Sequence, residues 1–268
     1  MKIFELLDMY NVKPEELNAF TSRREAFAKL GSFGKKIALA AIPVTIASSA
    51  STKAFARTME PLDVLNFALT LEYLEAEFYT KGLAKAGLIP DGKDRAIFEQ
   101  IEKHEVDHVE FLIAGITASG GTPVEKPMFD FTAEKNFDPF GDYNQFLALA
   151  QAFEDTGVRA YKGQAANLME SNELLTAALQ IHSVEARHAS EVRRLRGLKG
   201  WITQDERGEG MPEATQAVYN GEDNLTQGGV DVTTVSSVGA DGVTESFDEP
   251  LTKEEVLTIA GLFICTEE

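Results

Sequence analysis

The sequence predicts an all-α protein whose main domain is an antiparallel four-helix bundle, followed by a C-terminal extension made of an irregular arm and a short helix. Apolar residues recur every three or four positions along four long segments between residues 58 and 198. This spacing is typical of the buried face of an α-helix. Glycine and proline residues separate the segments, and two of the three connections are short. Four long helices joined in this way favour a four-helix bundle.

Helix breakers set the limits of the four predicted helices. These helices span residues 58–83, 93–118, 142–170 and 172–198. Pro61 suits the first turn of the first helix, where its missing amide hydrogen costs no hydrogen bond. A connection rich in proline and phenylalanine, residues 122–140, joins the second helix to the third. Because the other two connections are tight turns, we expect two helical hairpins.

The predicted extension comprises residues 201–268. Its first part has little helical periodicity and predicts an irregular arm with a short strand pair. The two predicted strands lie near residues 230–235 and 238–243. Thr252 and Glu255 have the spacing of a capping box and predict a short helix that continues to Leu262. The apolar residues of this helix need a partner, either the bundle or another subunit, so the sequence leaves a homo-oligomer open.

The first 56 residues differ in charge from the rest of the chain. They carry eight basic and five acidic residues, whereas the remainder carries 17 basic and 38 acidic residues. Arg23–Arg24 precedes an apolar run at 37–47 and small residues at 54–56, an order typical of a twin-arginine export signal. The run is too short to cross a bilayer. We expect residues 1–56 to direct export to the periplasm or another extracytoplasmic space. The alternative is that these residues form an amphipathic helix that is retained in a cytoplasmic protein.

The net charge and the cysteine content limit which partners and which kinds of metal site are possible. The net charge of −18 argues against nucleic acid or an anionic membrane surface as partner, because like charges repel. The single cysteine, Cys265, excludes an intrachain disulfide and a cysteine-based metal site within one chain. A metal site must therefore use Glu, Asp and His side chains. All four histidines lie in two segments, residues 104–108 and 182–188.

Each of these two segments contains a Glu-x-x-His motif. Glu105 and His108 lie on the second predicted helix, and Glu185 and His188 lie on the fourth. In both motifs an isoleucine lies four residues before the glutamate and an aliphatic residue lies seven residues after it. These offsets fall on one helical face. The sequence therefore predicts that both motifs face the core.

The other two helices each contribute one core-facing glutamate. Glu72 and Glu154 interrupt the apolar faces of the first and third helices, and a tyrosine follows each of them seven residues later. This match indicates an internal repeat of a helical hairpin. Four close carboxylates cannot all stay ionised without a cation, and bundle proteins use this pattern for two iron or manganese ions. The predicted metal ligands and catalytic residues are Glu72, Glu105, His108, Glu154, Glu185 and His188.

Several nearby polar residues are candidates for contacts behind the ligands. They are Glu75, Tyr79, Glu102, Tyr161 and His182. Glu75 also competes with Glu72 as a ligand, but the repeat aligns it with Gly157 and so favours Glu72. The two tyrosines are either ordinary core residues or redox or gating groups. His104 lies one residue off the ligand face and is expected at the surface or behind the ligands. Glu222–Asp223 is expected in a surface turn, with contact to a metal ion as the alternative.

Four stretches resemble a known family. They are L-E-Y-L-E-A-E-F-Y at 71–79, E-V-D-H-V-E-F-L at 105–112, A-F-E-D-T-G-V-R-A-Y at 152–161 and H-S-V-E-A-R-H-A-S-E-V-R-R-L-R at 182–196. Over residues 57–200 the chain resembles the bacterial ferritin-like domain family that includes the desiccation-related proteins, and its leader is similar to that of exported members. The resemblance implies a ferritin-like fold and a dinuclear metal centre. It does not supply a substrate.

Three functions are compatible with this site. The first is a di-iron oxidase in which two iron ions react with O2 or peroxide, as in iron oxidation. The second is a di-manganese, catalase-like enzyme with the same ligands, because carboxylate-rich sites suit both metals. The third is a non-enzymatic, exported protein with a metal-binding or structural role in the stress response. The sequence favours the first function, with metal ions and O2 or peroxide as partners.

Overall fold

The computed structural model describes residues 59–265, which form a four-helix bundle and an extension. The bundle helices are α1 (Pro61–Ala84), α2 (Lys93–Ala118), α3 (Tyr143–Gln164) and α4 (Asn172–Leu195). The most extensive helix contacts join α1 to α2 and α3 to α4, so the bundle consists of two hairpins. The predicted all-α fold is confirmed, and none of the helices in this range combines the length with the apolar character that a bilayer crossing demands. The predicted export segment, residues 1–56, lies outside the described residues.

A side-chain cap explains where α3 begins. Asp142 caps its amino end through a 2.8 Å hydrogen bond that its carboxylate accepts from a backbone amide. The helix ends at Gln164, earlier than predicted, and the chain continues as a 3-10 turn at Ala165–Leu168. In this turn the Asn167 side-chain amide donates to Gln164 Oε1 at 2.7 Å.

The extension packs on the bundle along α3. Its two α-helices are α5 (Gly239–Thr244) and α6 (Lys253–Ala260). The predicted capping box between Thr252 and Glu255 is present at the start of α6, and this helix contacts α3. Gly163 of α3 permits the close approach, because a Cβ there would lie 1.9 Å from the carbonyl oxygen of Leu251. The partner of the terminal helix is therefore the bundle of the same chain.

The predicted strand pair is wrong in its position. The two strands are β1 (Thr226–Gln227) and β2 (Val230–Asp231), which pair antiparallel. Gly228 and Gly229 form the turn between them with φ angles of 59° and 84°, which glycine adopts readily. The chain beyond β2 forms a 3-10 turn at Val232–Thr234 and then α5. Val235 and Val238, which suggested strands, are 71% and 58% exposed, so no buried face holds them in a sheet.

An aromatic core ties the long connection between α2 and α3 to the rest of the protein. Phe131 and Phe137 of this connection are buried. The Phe131 ring lies 5.4 Å from that of Phe78 on α1, and the Phe137 ring lies 6.0 Å from that of Phe263 after α6. The Asp130 amide also donates to the Phe263 carbonyl oxygen at 2.9 Å. The connection thus closes one side of the bundle together with the end of the extension.

Candidate metal centre

All four bundle helices contribute side chains to one buried polar cluster. Its members are Glu72 on α1, Glu105 and His108 on α2, Glu154 on α3, and Glu185 and His188 on α4. The four glutamates have no solvent exposure and His188 is 5% exposed. The side chain of His108 is 13% exposed and forms the outer edge of the cluster. The structure therefore brings together all six residues that the sequence predicts as metal ligands.

The cluster divides into two overlapping groups. The His108 position consists of Glu72, Glu105, His108 and Glu185, and the His188 position consists of Glu105, Glu154, Glu185 and His188. Within each group, one ligand atom of every residue lies within 4.8 Å of the others. Glu105 and Glu185 belong to both groups. Two shared carboxylates between two end pairs are the arrangement expected for two adjacent metal ions.

Each histidine presents its Nδ1 atom to several carboxylates. For His108, the contacts are Glu72 Oε2 at 3.1 Å, Glu105 Oε2 at 3.1 Å and Glu185 Oε1 at 3.2 Å. His188 Nδ1 lies 2.7 Å from Glu105 Oε1 and 3.2 Å from Glu154 Oε2. A ring nitrogen carries at most one hydrogen and cannot satisfy several carboxylates at once. A cation located between these atoms can interact favourably with all of them.

Five polar atoms of the cluster are buried without a hydrogen bond to any described residue. They are Glu105 Oε1, Glu154 Oε2, both carboxylate oxygens of Glu185, and His188 Nδ1. His188 Nδ1 and Glu105 Oε1 are only 2.7 Å apart, but they are not aligned for a hydrogen bond. An unsatisfied buried polar group costs about 1–3 kcal/mol, and a charged group costs more. Such convergence is unfavourable without a cation, so these residues fit a metal centre.

Two tyrosines hold the end carboxylates from the opposite hairpin. The Tyr79 hydroxyl of α1 donates to Glu154 Oε1 of α3, and the Tyr161 hydroxyl of α3 donates to Glu72 Oε1 of α1. Both tyrosines are buried. Each bond occupies one carboxylate oxygen, and the other oxygen of the same group faces a histidine. Each hairpin therefore supplies a tyrosine that orients the end carboxylate of the other hairpin, and the internal repeat makes the two contacts equivalent.

Protons compensate part of the negative charge of the cluster. Burial raises the pKa of Glu72 to about 7 and the pKa of Glu185 well above its ordinary value. Burial also opposes the ionisation of Glu105, but the two histidines beside it outweigh this effect and lower the pKa of Glu105 to about 2. Burial lowers the pKa of His188, but the neighbouring Glu154 and Glu105 carboxylates outweigh it and raise this pKa to about 11. Metal binding must therefore displace protons.

Besides the two tyrosines, two further residues outside the predicted ligand set lie beside the cluster. Glu75 is 3% exposed and lies close to Glu185 across the gap left by Gly157. His104 Nδ1 lies 2.9 Å from His188 Nε2, and the two rings are nearly parallel. The sequence places His104 at the surface or behind the ligands, and the structure places it directly behind His188. Its spacing of one turn before His108 places it on a neighbouring edge of α2, but only the packing of α4 beside α2 brings it to His188.

Two other predicted neighbours do not reach the cluster. Glu102 accepts a hydrogen bond from the Thr80 hydroxyl at 3.0 Å. His182 Nδ1 lies 3.0 Å from the carbonyl oxygen of Val158. Both residues precede a ligand glutamate by three positions, but neither carries its side chain to the cluster. Periodicity places residues three positions apart on the same broad face of a helix. It does not show which of these side chains reach the cluster.

Arg159 on α3 anchors the extension through a buried ion pair. Its Nε atom lies 2.7 Å from Glu222 Oε1, and its nitrogens donate to three backbone carbonyl groups of the extension. Arg159 and Glu222 are each 1% exposed. The predicted surface turn is therefore wrong for Glu222, although Asp223 is exposed. A buried guanidinium needs a counter-charge, and Glu222 supplies it.

A second buried ion pair lies beside the cluster but is not part of it. Asp155 accepts hydrogen bonds from Arg193 Nη2 at 2.6 Å and from Arg193 Nε at 3.2 Å. It also accepts one from the Tyr219 hydroxyl at 2.9 Å. All three side chains are buried. The Asp155 carboxylate is satisfied by protein donors alone.

Comparison with known families identifies the same domain. A family model described as a ferritin-like domain matches residues 60–198, a range that contains α1 to α4 and all six residues of the cluster. No match was found among curated proteins. The matched range is more than half of the chain and coincides with the four-helix bundle. The chain therefore belongs to the ferritin-like domain family.

Proposed function

We propose that the cluster binds two divalent metal ions and that the protein is a dinuclear metal oxidoreductase. Iron is the favoured metal, and the proposed reaction is iron oxidation or the reduction of O2 or peroxide. The observation that carries the proposal is the convergence of five buried polar atoms without hydrogen bonds to described residues, supplied by three helices. Two divalent ions would balance four ionised carboxylates once both histidines are neutral.

The residues present define how the two ions would be held. Glu72 and His108 would bind one ion, Glu154 and His188 would bind the other, and Glu105 and Glu185 would be shared. This ligand set contains only carboxylate and imidazole groups, which suit iron and manganese. Glutamate from two helices with Glu-x-x-His from the other two is the pattern of dinuclear ferritin-like proteins.

The protein surroundings orient and isolate the proposed centre. Bound iron would supply the electrons that reduce O2 or peroxide. Tyr79 and Tyr161 hold Glu154 and Glu72 in place through their hydroxyl groups. Because the four glutamates have no solvent exposure, bulk water is excluded from most of the cluster. His108 is the member nearest to solvent.

An apolar cavity between the bundle helices supports O2 as the oxidant. The cavity borders Tyr161, and Ala68, Leu112 and Ile181 line it one helical turn away from cluster members. Apart from Tyr161 and Gln164, its lining residues are apolar. O2 has no hydrogen bonds to lose in such surroundings, whereas a polar peroxide pays for desolvation. This difference favours the oxidase over the catalase-like alternative.

Two alternative functions are compatible with the same observations. A di-manganese centre with these ligands would support a catalase-like reaction. A non-enzymatic stress protein, as the likeness to desiccation-related proteins suggests, would bind metal without turnover. Oxygen consumption and peroxide decomposition, measured on iron-loaded and manganese-loaded protein, separate these functions. Turnover of neither oxidant, with a metal-induced rise in Tm, would favour the non-enzymatic protein.

Elemental analysis of natively purified protein tests the site itself. We expect about two metal ions per chain, mostly iron, in agreement with the dinuclear pattern. Glu105→Ala and His188→Ala should each lower the metal content, because each removes a ligand of the His188 position. Glu77→Gln on α1 is the matched control, since Glu77 pairs with Lys81 outside the cluster. Unchanged metal content in both ligand variants would refute the proposed site.

The proposed cellular location rests on the amino-terminal segment. We propose that Arg23–Arg24 and the apolar run at residues 37–47 direct twin-arginine export. This route carries folded proteins and would allow metal to be bound before export. Replacing both arginines with lysine should retain the protein inside the cell, as judged by fractionation. Unchanged export of that variant would contradict this proposal without affecting the metal centre.

A further inference from the structure

The internal repeat of the bundle allows the packing at the two ends of the cluster to be compared residue by residue. The repeat pairs Tyr161 with Tyr79. Tyr161 binds the end carboxylate of the His108 position, and Tyr79 binds that of the His188 position. The spaces beyond the two tyrosines are therefore equivalent places in the two halves. Any difference between these spaces must come from the side chains that surround each tyrosine.

The apolar cavity described above lies beyond Tyr161 and has a volume of about 40 Å³. Its lining includes residues one helical turn from Glu72, His108 and Glu185, and all three of these residues belong to the His108 position. No residue one turn from the two ligands that belong only to the His188 position lines it. The exposed Phe111 lies at its outer edge. The cavity therefore leads from the surface toward one end of the cluster.

Four residues that line the cavity are much smaller than their counterparts in the other half. The internal repeat pairs Val64 with Phe146, Ala160 with Phe78, Gly115 with Leu195, and Ala178 with Phe98. A small side chain in place of a large one leaves a void unless neighbouring groups move in to fill it. The cavity is therefore the space that three phenylalanine rings and one leucine side chain occupy at the opposite end of the cluster.

Aromatic rings fill the equivalent space beyond Tyr79. Phe78, Phe98 and Phe146 have no solvent exposure. The Phe98 ring lies 5.8 Å from that of Tyr79 and 5.0 Å from that of Phe146. Gly82 makes room for Phe146, because a Cβ there would lie 2.3 Å from Phe146 Cε2. Close packing of this kind leaves no space for a further molecule at this end.

We propose that the cavity binds one small apolar molecule and that O2 reaches the cluster only from this side, at the His108 position. The cavity is much smaller than the roughly 150 Å³ that accommodates benzene, so its occupant has only a few atoms. The apolar lining favours a molecule without hydrogen-bonding groups. The identification of this molecule as O2 rests on the proposed function and deepens it, because it assigns one of two equivalent ends to the oxidant.

Crystals under xenon pressure test the binding site without metal or turnover. Xenon is an apolar atom that enters dry apolar cavities. We expect xenon in the cavity beside Tyr161 and none beside Tyr79. Ala178→Phe copies Phe98 of the other half and should abolish xenon binding. Ala114→Phe adds the same ring at an exposed position of α2 outside the cavity and should bind xenon as the wild type does.

Phe98→Ala is the reverse test. It removes a ring that packs beside Tyr79 and should create a second xenon site there, while the first site stays unchanged. Absence of xenon from the wild type, or xenon at both of its ends, overturns the inference. Xenon that persists in Ala178→Phe overturns it as well. Absence of a second site in folded Phe98→Ala contradicts the role of Phe98 in closing this end.

Oxygen consumption by iron-loaded protein tests the delivery of O2. Ala178→Phe should consume O2 at least about tenfold more slowly than the wild type, with unchanged metal content. An unaltered rate overturns delivery from this side. Should Ala178→Phe fold poorly, Gly115→Leu copies Leu195, fills the same cavity from α2 and should also abolish xenon binding. Failure of the wild type to bind metal would refute the proposed function, whereas the xenon experiment would still decide whether the cavity is a one-sided binding site.

Discussion

Glu154 and Asp155 are neighbours on α3, and both are buried, but their carboxylates have different partners. Asp155 accepts three hydrogen bonds from Arg193 and Tyr219. Glu154 accepts one from Tyr79, and its Oε2 atom has none from the described residues. The comparison shows that burial alone does not identify a functional carboxylate. Within this pair, the unsatisfied acceptor atom of Glu154 separates the metal-binding candidate from the structural residue.

The Asp155 network and the metal cluster also differ in the groups that balance the charge of their carboxylates. The guanidinium group of Arg193 is part of the chain and is present whenever the protein is folded. Among the described residues, the glutamates of the cluster have two histidines and bound protons as counter-charges. Metal should therefore change the stability of the protein through the cluster and leave the Asp155 network unaffected. Four predictions test this distinction.

Removal of the Asp155 carboxylate should have the largest effect. Asp155→Ala leaves the Arg193 guanidinium buried without its anion, and breaking a buried ion pair in this way costs about 3–5 kcal/mol of unfolding free energy. The loss should be equal in metal-free and metal-loaded protein, as measured by urea denaturation. The double variant Asp155→Leu, Arg193→Met removes both charges and should recover most of the stability. A loss seen only with metal would assign Asp155 to the metal centre.

Glu185→Gln should have opposite effects in the two forms of the protein. It removes the need to protonate a buried carboxyl, so the metal-free protein should gain about 1–3 kcal/mol of unfolding free energy near neutral pH. Metal binding should weaken at least about 100-fold because a shared ligand is lost. Denaturation with and without metal, together with elemental analysis, measures both. Glu191→Gln on the same helix is the control, and wild-type metal affinity in Glu185→Gln would contradict the prediction.

The metal-free protein should lose stability as pH rises from about 4.5 to about 11. Burial raises the pKa of Glu72 from 4.5 to about 7, and the neighbouring carboxylates outweigh burial to raise the pKa of His188 from 6.5 to about 11. The folded state therefore keeps protons that the unfolded state releases. Bound metal replaces these protons, so Tm of the loaded protein should not show this fall. Glu72→Gln should flatten the metal-free slope; equal slopes with and without metal would contradict the prediction.

Gly115→Leu should have the smallest effect of the four changes. It should affect only the access of O2 to the proposed metal centre. Gly115 lines the apolar cavity, and a Cβ there would meet no atom within 4 Å. The added side chain should fill the cavity and slow O2 consumption roughly fivefold, equivalent to about 1 kcal/mol of barrier. Metal content should stay unchanged, and Gly115→Ala should be close to wild type. An unaltered rate in Gly115→Leu would exclude this cavity as the O2 route.

Periodicity predicted most of the bundle because a buried helical face repeats at fixed intervals along the chain. It located α1 and α2 closely and put Glu105, His108, Glu185 and His188 on inward faces. It failed in the extension, where exposed valines suggested strands that no buried face supports. The early end of α3 at Gln164, one residue after Gly163, was also missed. The export segment stays a prediction.

The sequence by itself determined the four helices, the internal repeat and the six residues of the cluster, since matched spacings carry this information within each helix. Only the tertiary structure decided which neighbours join them. It turned Glu75 and His104 toward the cluster and left Glu102 and His182 outside it. It also buried Glu222 against Arg159. These outcomes depend on atoms supplied by distant parts of the chain, and no local pattern encodes the positions at which those atoms meet.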